Sequence, residues 1–119
     1  MLVGVSMNTR EDIIKYCLSF PGTYEDYPFH DNNVTVMRCF GNKKTFAMVF
    51  NRSDYLWINV KCDPEWIDFW RNAYSSIIPG YHMNKKYWNT IIMDGSVPDK
   101  DIERLLLESY DLVKPKKKK

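Results

Sequence analysis

Three runs of β-branched and aromatic residues stand almost end to end between Val34 and Lys61: VTVMRCF (34–40), KTFAMVF (44–50) and YLWINVK (55–61). Only Gly41-Asn42-Lys43 and Asn51-Arg52-Ser53-Asp54 separate them. A parallel crossover needs a dozen or more connecting residues, so connections this short force consecutive antiparallel pairing. The third run alternates, with Leu56, Ile58 and Val60 on one side and Tyr55, Trp57, Asn59 and Lys61 on the other. Such alternation predicts a sheet with one face packed on a core and one wetter face.

Helical patterns flank these strands. Thr9-Arg10-Glu11-Asp12 reads as a capping box, and Ile13, Ile14, Cys17 and Leu18 form an apolar stripe that Pro21-Gly22 stops. Asp63 followed by Pro64 reads as the N-cap and first residue of a short second helix bearing Trp66, Ile67, Phe69 and Trp70. Pro98 opens a third helix with Ile102, Leu105, Leu106 and Ser109 on one face. Between the second and third helices, YHM (81–83) and KYWNTIIM (86–93) read as a hairpin about an Asn84-Lys85 turn. The order α-β-β-β-α-β-β-α predicts an α+β two-layer sandwich, its antiparallel sheet of about five strands carrying the terminal helices on one face. The domain is expected to run from 9 to 113, between a flexible N-terminus (1–8) and a lysine-rich tail (114–119).

Charge is divided along the chain. The tail from Lys114 to Lys119 holds five lysines, and without it twelve Lys and Arg face fifteen Asp and Glu. Met1–Met37 balances at −3, Arg38–Lys86 at +4 and Tyr87–Val113 at −4. Cationic character therefore belongs to the strand region and the tail. The apolar runs are too short for a membrane span, and MLVGVSMNTRED has neither the basic nor the apolar segment of a signal peptide. Cysteines 17, 39 and 62 form no CxxC pair, so buried reduced thiols in a cytoplasmic setting are expected.

Signs of catalysis are sparse. His30 and His82 lack a second ligand at helical spacing, and no phosphate-binding glycine loop or zinc helix motif occurs, so no catalytic residue, metal or cofactor is expected. His82 near Ser75 and Ser76 makes only a thin case for a nucleophile and base. Two binding readings remain. In the first, Arg38, Lys43, Lys44, Arg52, Lys61, Lys85 and Lys86 meet the phosphates of DNA or another polyanion, and Trp57 offers a stacking surface. In the second, Tyr81, His82, Asn84 and Trp88 surround a pocket for a protein or metabolite. Trp88 is expected in the core, with Asn84 or Asn89 bonding hairpin backbone groups. A monomer with no membrane contact is expected.

PGYHMNKKYWNTIIMDG (79–95) resembles the signature of the MmcQ/YjbR-like family, whose members carry a histidine, methionine, asparagine and lysine run followed by Trp-Asn-Thr. FPGTYEDYPFHDNNVTVMRC (20–39) and LLLESYDLV (105–113) are similar to further family segments, so the resemblance spans roughly Thr9 to Val113. Tyr87 stands where many members have a second histidine. The resemblance marks Tyr81, His82, Asn84, Trp88 and Asn89 as motif residues. It implies a CyaY-like (frataxin-like) fold and, by analogy with double-wing domains, DNA binding. Glu25, Asp26 and Asp31 would correspond to frataxin's acidic iron-binding ridge.

Overall fold

The structure, a computed structural model, describes residues 6–30 and 33–116. The elements run α1 (Arg10–Leu18), β1 (Thr23–Asp26), β2 (Thr35–Cys39), β3 (Thr45–Arg52), β4 (Tyr55–Lys61), α2 (Ile67–Ala73), β5 (Ile77–Pro79), β6 (Trp88–Ile92) and α3 (Asp99–Val113). Six strands form one sheet in the order β1-β2-β3-β4-β6-β5, and every pairing is antiparallel. The fold is the expected α+β two-layer sandwich, with one strand more than expected. The additional strand is β1, whose sequence TYED has no apolar alternation and pairs with β2 through its backbone at the sheet edge.

The core lies between one sheet face and the helices. Met37, Phe46, Ala47, Val49, Ile58, Val60, Ile77 and Ile91 point inward, where they meet Ile13 and Cys17 of α1, Ile67 and Trp70 of α2, and Ile102, Leu105 and Leu106 of α3. Ser109 lies on the same face of α3 and is fully buried. Its hydroxyl donates to the Phe46 carbonyl at 2.5 Å and accepts from the Lys61 amide at 2.9 Å, fastening α3 across β3 and β4. The Thr9 capping box forms as expected, with Thr9 Oγ1 accepting from the Asp12 amide. All three cysteines are free and buried. Burial pushes the Cys17 thiol up to about 12 and the Cys62 thiol up to about 11.

Four expectations need correction. The ordered unit begins before Thr9, because Met7 is fully buried and the Asn8 amide donates to Asp12; residues 1–5 lie outside the described residues. Asp63 caps a turn, accepting from the Glu65 amide, and α2 proper starts at Ile67. On that helix only Ile67 and Trp70, three residues apart, face the core, while Trp66 and Phe69 are exposed. The last hairpin pairs β6 with Ile77–Pro79, so Tyr81, His82 and Met83 belong to its loop. The tail leaves the helix in contact with the body: the Lys114 amide bonds the Tyr110 carbonyl, and a Cβ on Gly41 would stand 2.6 Å from Pro115 Cγ. Residues 117–119 lie outside the described residues.

The two layers differ in charge. The three helices carry eight carboxylates against five cations. On the opposite sheet face, strand register places Arg38, Arg52 and Lys61 outward, with Asp26 as the outward carboxylate of the strands.

Candidate functional site

The outward sheet face has no helix over it, yet it is far from empty. Register brings Met48 beside Asn59, Phe50 beside Trp57 and Arg52 beside Tyr55, with Thr90 and Ile92 following on β6. The 80–87 loop folds back over part of this surface. The Tyr81 amide donates to Thr90 Oγ1 at 2.8 Å, Thr90 Oγ1 donates to Asn59 Oδ1 at 2.5 Å, and Asn59 Nδ2 donates to the Tyr81 carbonyl at 3.1 Å. This closed ring of bonds explains why Asn59 and Thr90 are buried although their register points away from the core. A buried amide and hydroxyl are tolerated because each finds a partner.

The ring fixes Tyr81 over the strands. Its ring lies 5.9 Å from Phe50 and 5.5 Å from Trp57, measured between centroids. Arg52 sits over the same group, its Cζ 4.5 Å from the Tyr81 centroid and 5.4 Å from that of Trp57. A guanidinium over two aromatic faces is held by the ring quadrupoles and keeps its donors available. Arg52 is exposed and has no ion pair among the described residues. Trp57 is half-buried, and its Nε1–H is shielded from solvent without an acceptor among the described residues. Buried donors are rarely left so, which marks this aromatic group as distinct from the rest of the face.

The other expected cations divide by position. Arg38 is committed internally: its Nε pairs with Asp26 at 2.8 Å, and Nη1 bonds the Lys43 carbonyl and Thr45 Oγ1. Lys43 and Lys44 lie on the β2–β3 turn, Lys61 ends β4, and Lys85 and Lys86 lie on the β5–β6 loop. Antiparallel register puts these five at one end of the sheet, since Lys61 is opposite Trp88 and the β2–β3 turn extends past it. Arg52 lies at the opposite end, so the expected cations form no single patch.

The Trp-Asn-Thr segment is a fastening. Trp88 is half-buried, not in the core as expected, while Asn89 and Thr90 are fully buried. Asn89 Nδ2 donates to the Ile67 carbonyl at 3.2 Å, and its Oδ1 accepts from Arg71 Nε at 2.6 Å. Arg71 also donates to the carbonyls of Lys85 and Trp88, so one guanidinium ties α2 to the loop and to β6. Asn84 Oδ1 accepts from the Lys86 amide, which sets the turn. His82 is exposed in the left-handed region at φ 58°, its ring 4.1 Å from that of Tyr81. Ser76 Oγ donates to Asp94 and accepts from Ser96, leaving its hydroxyl engaged. Of the three acids compared with the iron ridge, Asp26 is paired with Arg38 and Asp31 lies outside the described residues. Among the described residues no three His, Cys, Asp or Glu side chains cluster to hold a metal. No helix among them is long and apolar enough to cross a membrane.

Two arginines that pattern reading missed organise the surroundings. Besides Arg71, Arg10 donates to the Asn33 carbonyl and Oδ1, Thr35 Oγ1, the Val49 carbonyl and Asn51 Oδ1, locking α1 to β2 and β3. All five acceptors are neutral, so no charge pairing in the sequence could have flagged the contact.

The chain is similar in sequence and in fold to known proteins. A family model described as YjbR matches residues 18–112. YyaQ of Bacillus subtilis strain 168 is 34% identical over 119 aligned residues, covering 91% of this chain and 100% of YyaQ. YjbR of Escherichia coli K12 is 31% identical over 102, covering 86% and 84%. A Deinococcus radiodurans crystal structure superposes with a TM-score of 0.81 at 36% identity, covering 89% of this chain and 78% of that one. A Pseudomonas syringae crystal structure gives 0.79 at 28%, covering 88% and 98%. YyaQ and YjbR are themselves uncharacterised, so the match brings a fold and a lineage without an activity. On sequence and architecture together, the chain belongs to the YjbR family.

Proposed function

We propose that the chain is a noncatalytic binding domain that holds single-stranded nucleic acid on its helix-free sheet face. The observation that carries this reading is Arg52, its guanidinium held over the Tyr81 and Trp57 rings with its charge unpaired among the described residues. Unpaired bases offer π-faces to such a surface, and a guanidinium over the rings can bond a phosphate or a base edge. Tyr55, cross-strand from Arg52 and 47% exposed, extends the stacking surface. Lys43, Lys44, Lys61, Lys85 and Lys86 supply phosphate contacts at the far end of the sheet. The acidic helical layer disfavours binding on the other side.

The alternative is the protein or metabolite site around Tyr81, His82, Asn84 and Trp88. It has fewer free polar groups, because the amides and hydroxyl of this segment bond the chain itself. The CyaY-like fold, the cytoplasmic setting and the monomeric state belong to this proposal as well. Helices on one face of an antiparallel sheet support the first, and free buried thiols support a reducing compartment.

The test is fluorescence anisotropy of a labelled 20-nucleotide strand and the matching duplex at low salt. Single-strand binding should exceed duplex binding and quench tryptophan emission, and Arg52→Gln should weaken it several-fold. Tighter duplex binding, or an Arg52→Gln variant that binds as the parent does, would overturn the reading. No binding at all would transfer the lead to the pocket.

A further inference from the structure

The helical layer bears an apolar feature that the fold itself does not use. Trp66 is 55% exposed and Phe69 is 53% exposed. Their rings meet edge to face with centroids 5.6 Å apart, and Phe69 meets the anchored Trp70 in the same way at 5.3 Å. With Leu112 of α3, also exposed, they line a groove of about 450 Å³ between α2 and α3.

The rim of the groove is acidic. Asp63, Glu108 and Asp111 border it; Glu108 pairs with Arg104 and Asp111 with Lys114, whereas Asp63 has no ion pair among the described residues. One cation enters: Arg104, with Cζ 5.8 Å from the Trp70 centroid and Nε 2.8 Å from Glu108. The groove therefore already seats a guanidinium between an aromatic face and a carboxylate.

We propose that this groove docks a short segment of a partner protein in which basic and apolar residues alternate. An apolar side chain would rest on Trp66 and Phe69, and a flanking lysine or arginine would meet Asp63 as Arg104 meets Glu108. Exposed tryptophan in a concave apolar setting is the residue type that dominates association energies. The carboxylate rim supplies charge complementarity, which sets partner choice and encounter rate. Both rings are more than half exposed, so the groove is open along one side, as a passing chain requires and an enclosed small ligand does not. The site lies on the layer opposite Arg52, so this proposal does not rest on nucleic-acid binding.

The test titrates the full chain by calorimetry with a seven-residue peptide alternating lysine and leucine. Heptalysine and an alternating glutamate–leucine peptide serve as controls. The alternating basic peptide should bind at least about tenfold more tightly than either control. Trp66→Ala with Phe69→Ala should remove at least about tenfold of that affinity, while the circular dichroism spectrum stays unchanged because both rings are exposed. Asp63→Asn should flatten the salt dependence. Equal binding by heptalysine, or by the Trp66/Phe69 double variant, would overturn the proposal. So would saturation of the same groove by tetramethylammonium, which would make it a small-cation cage. Concentration-dependent self-association abolished by the double variant would assign the groove to a second copy and overturn it equally.

Discussion

Arg71 and Asn89 hold each other at the seam between α2 and the sheet, with Nε of the guanidinium 2.6 Å from the Oδ1 of a fully buried amide. The contact sits inside the Trp-Asn-Thr segment, which a motif search reads as a site. Its geometry is that of a fastening, since Asn89 also bonds the Ile67 carbonyl and Arg71 bonds two loop carbonyls. Asn89→Ala would leave a buried carbonyl and a guanidinium short of partners, at a cost of about 3 kcal/mol. Urea unfolding should register that loss. A variant with parental stability and altered ligand binding would return Asn89 to the list of site residues.

Gly80 sets how closely the loop can return to the sheet. A Cβ there would stand 2.7 Å from Trp88 Cβ and 3.0 Å from both Met83 Cβ and the Trp88 carbonyl oxygen. The Gly80 amide bonds that same carbonyl at 2.9 Å, so the backbone has little freedom to retreat. Gly80→Ala should therefore destabilise by about 1–3 kcal/mol, as overpacking does. The lost closure should also loosen Tyr81 and raise the solvent exposure of Trp57, measurable as a red shift in tryptophan emission.

Legibility followed physical cause. β2, β3 and β4 could be read because alternation over short turns admits one pairing, and α3 because Ile102, Leu105, Leu106 and Ser109 recur at helical spacing. β1 could not, since an acidic four-residue edge strand is held by backbone bonds that leave no pattern. The pattern misplaces β5 because Asn84-Lys85 looks like a two-residue turn, whereas the loop runs from Gly80 to Tyr87 and turns Tyr81 across the sheet. That crossing is a tertiary event, and so is the burial of Asn59. The cations were visible individually, but only register separates Arg52 from the five lysines and hands Arg38 to Asp26. Trp66 and Phe69 look like core residues of α2, but Trp66 stands at its N-cap and Phe69 lies off the Ile67–Trp70 face, so both are exposed.

Asp94 gives the chain a pH-dependent joint between β6 and α3. Hydrogen bonds from Ser76, then from Ser96, hold its carboxyl below the ordinary value of 3.8. A depressed carboxylate contributes stability that is fully present above the unfolded value and is lost as pH falls through the folded one. The parent should therefore be more stable than Asp94→Asn by a constant margin at neutral pH, and the margin should shrink below pH 3.8. Urea midpoints of both proteins from pH 7 to pH 2 measure this. A margin that widened toward acid would contradict the assigned bonds.

If the proposed function holds, the salt dependence of nucleic-acid binding should separate the tail from the body. Lys114 pairs with Asp111 at 3.0 Å and Pro115 packs against Gly41, so truncation at Val113 would disturb the body along with the charge. Truncation after Lys116 removes three lysines and leaves those contacts in place. For single strands each phosphate contact contributes a slope of about −0.7 in log K against log salt. Loss of the three should then flatten the slope by up to about 2, and Lys85→Gln with Lys86→Gln by up to about 1.4. Affinity should lie in the nonspecific range of about 10⁻⁴ to 10⁻⁶ M at physiological salt, because the helical acids subtract from a small set of cations. Arg52→Gln is expected to differ in kind. It should lower affinity by more than its single charge accounts for, since the guanidinium's contacts with the Tyr81 and Trp57 rings are lost with it. A loss no greater than that of a single loop lysine would reduce the interface to phosphate attraction and remove Trp57 from it.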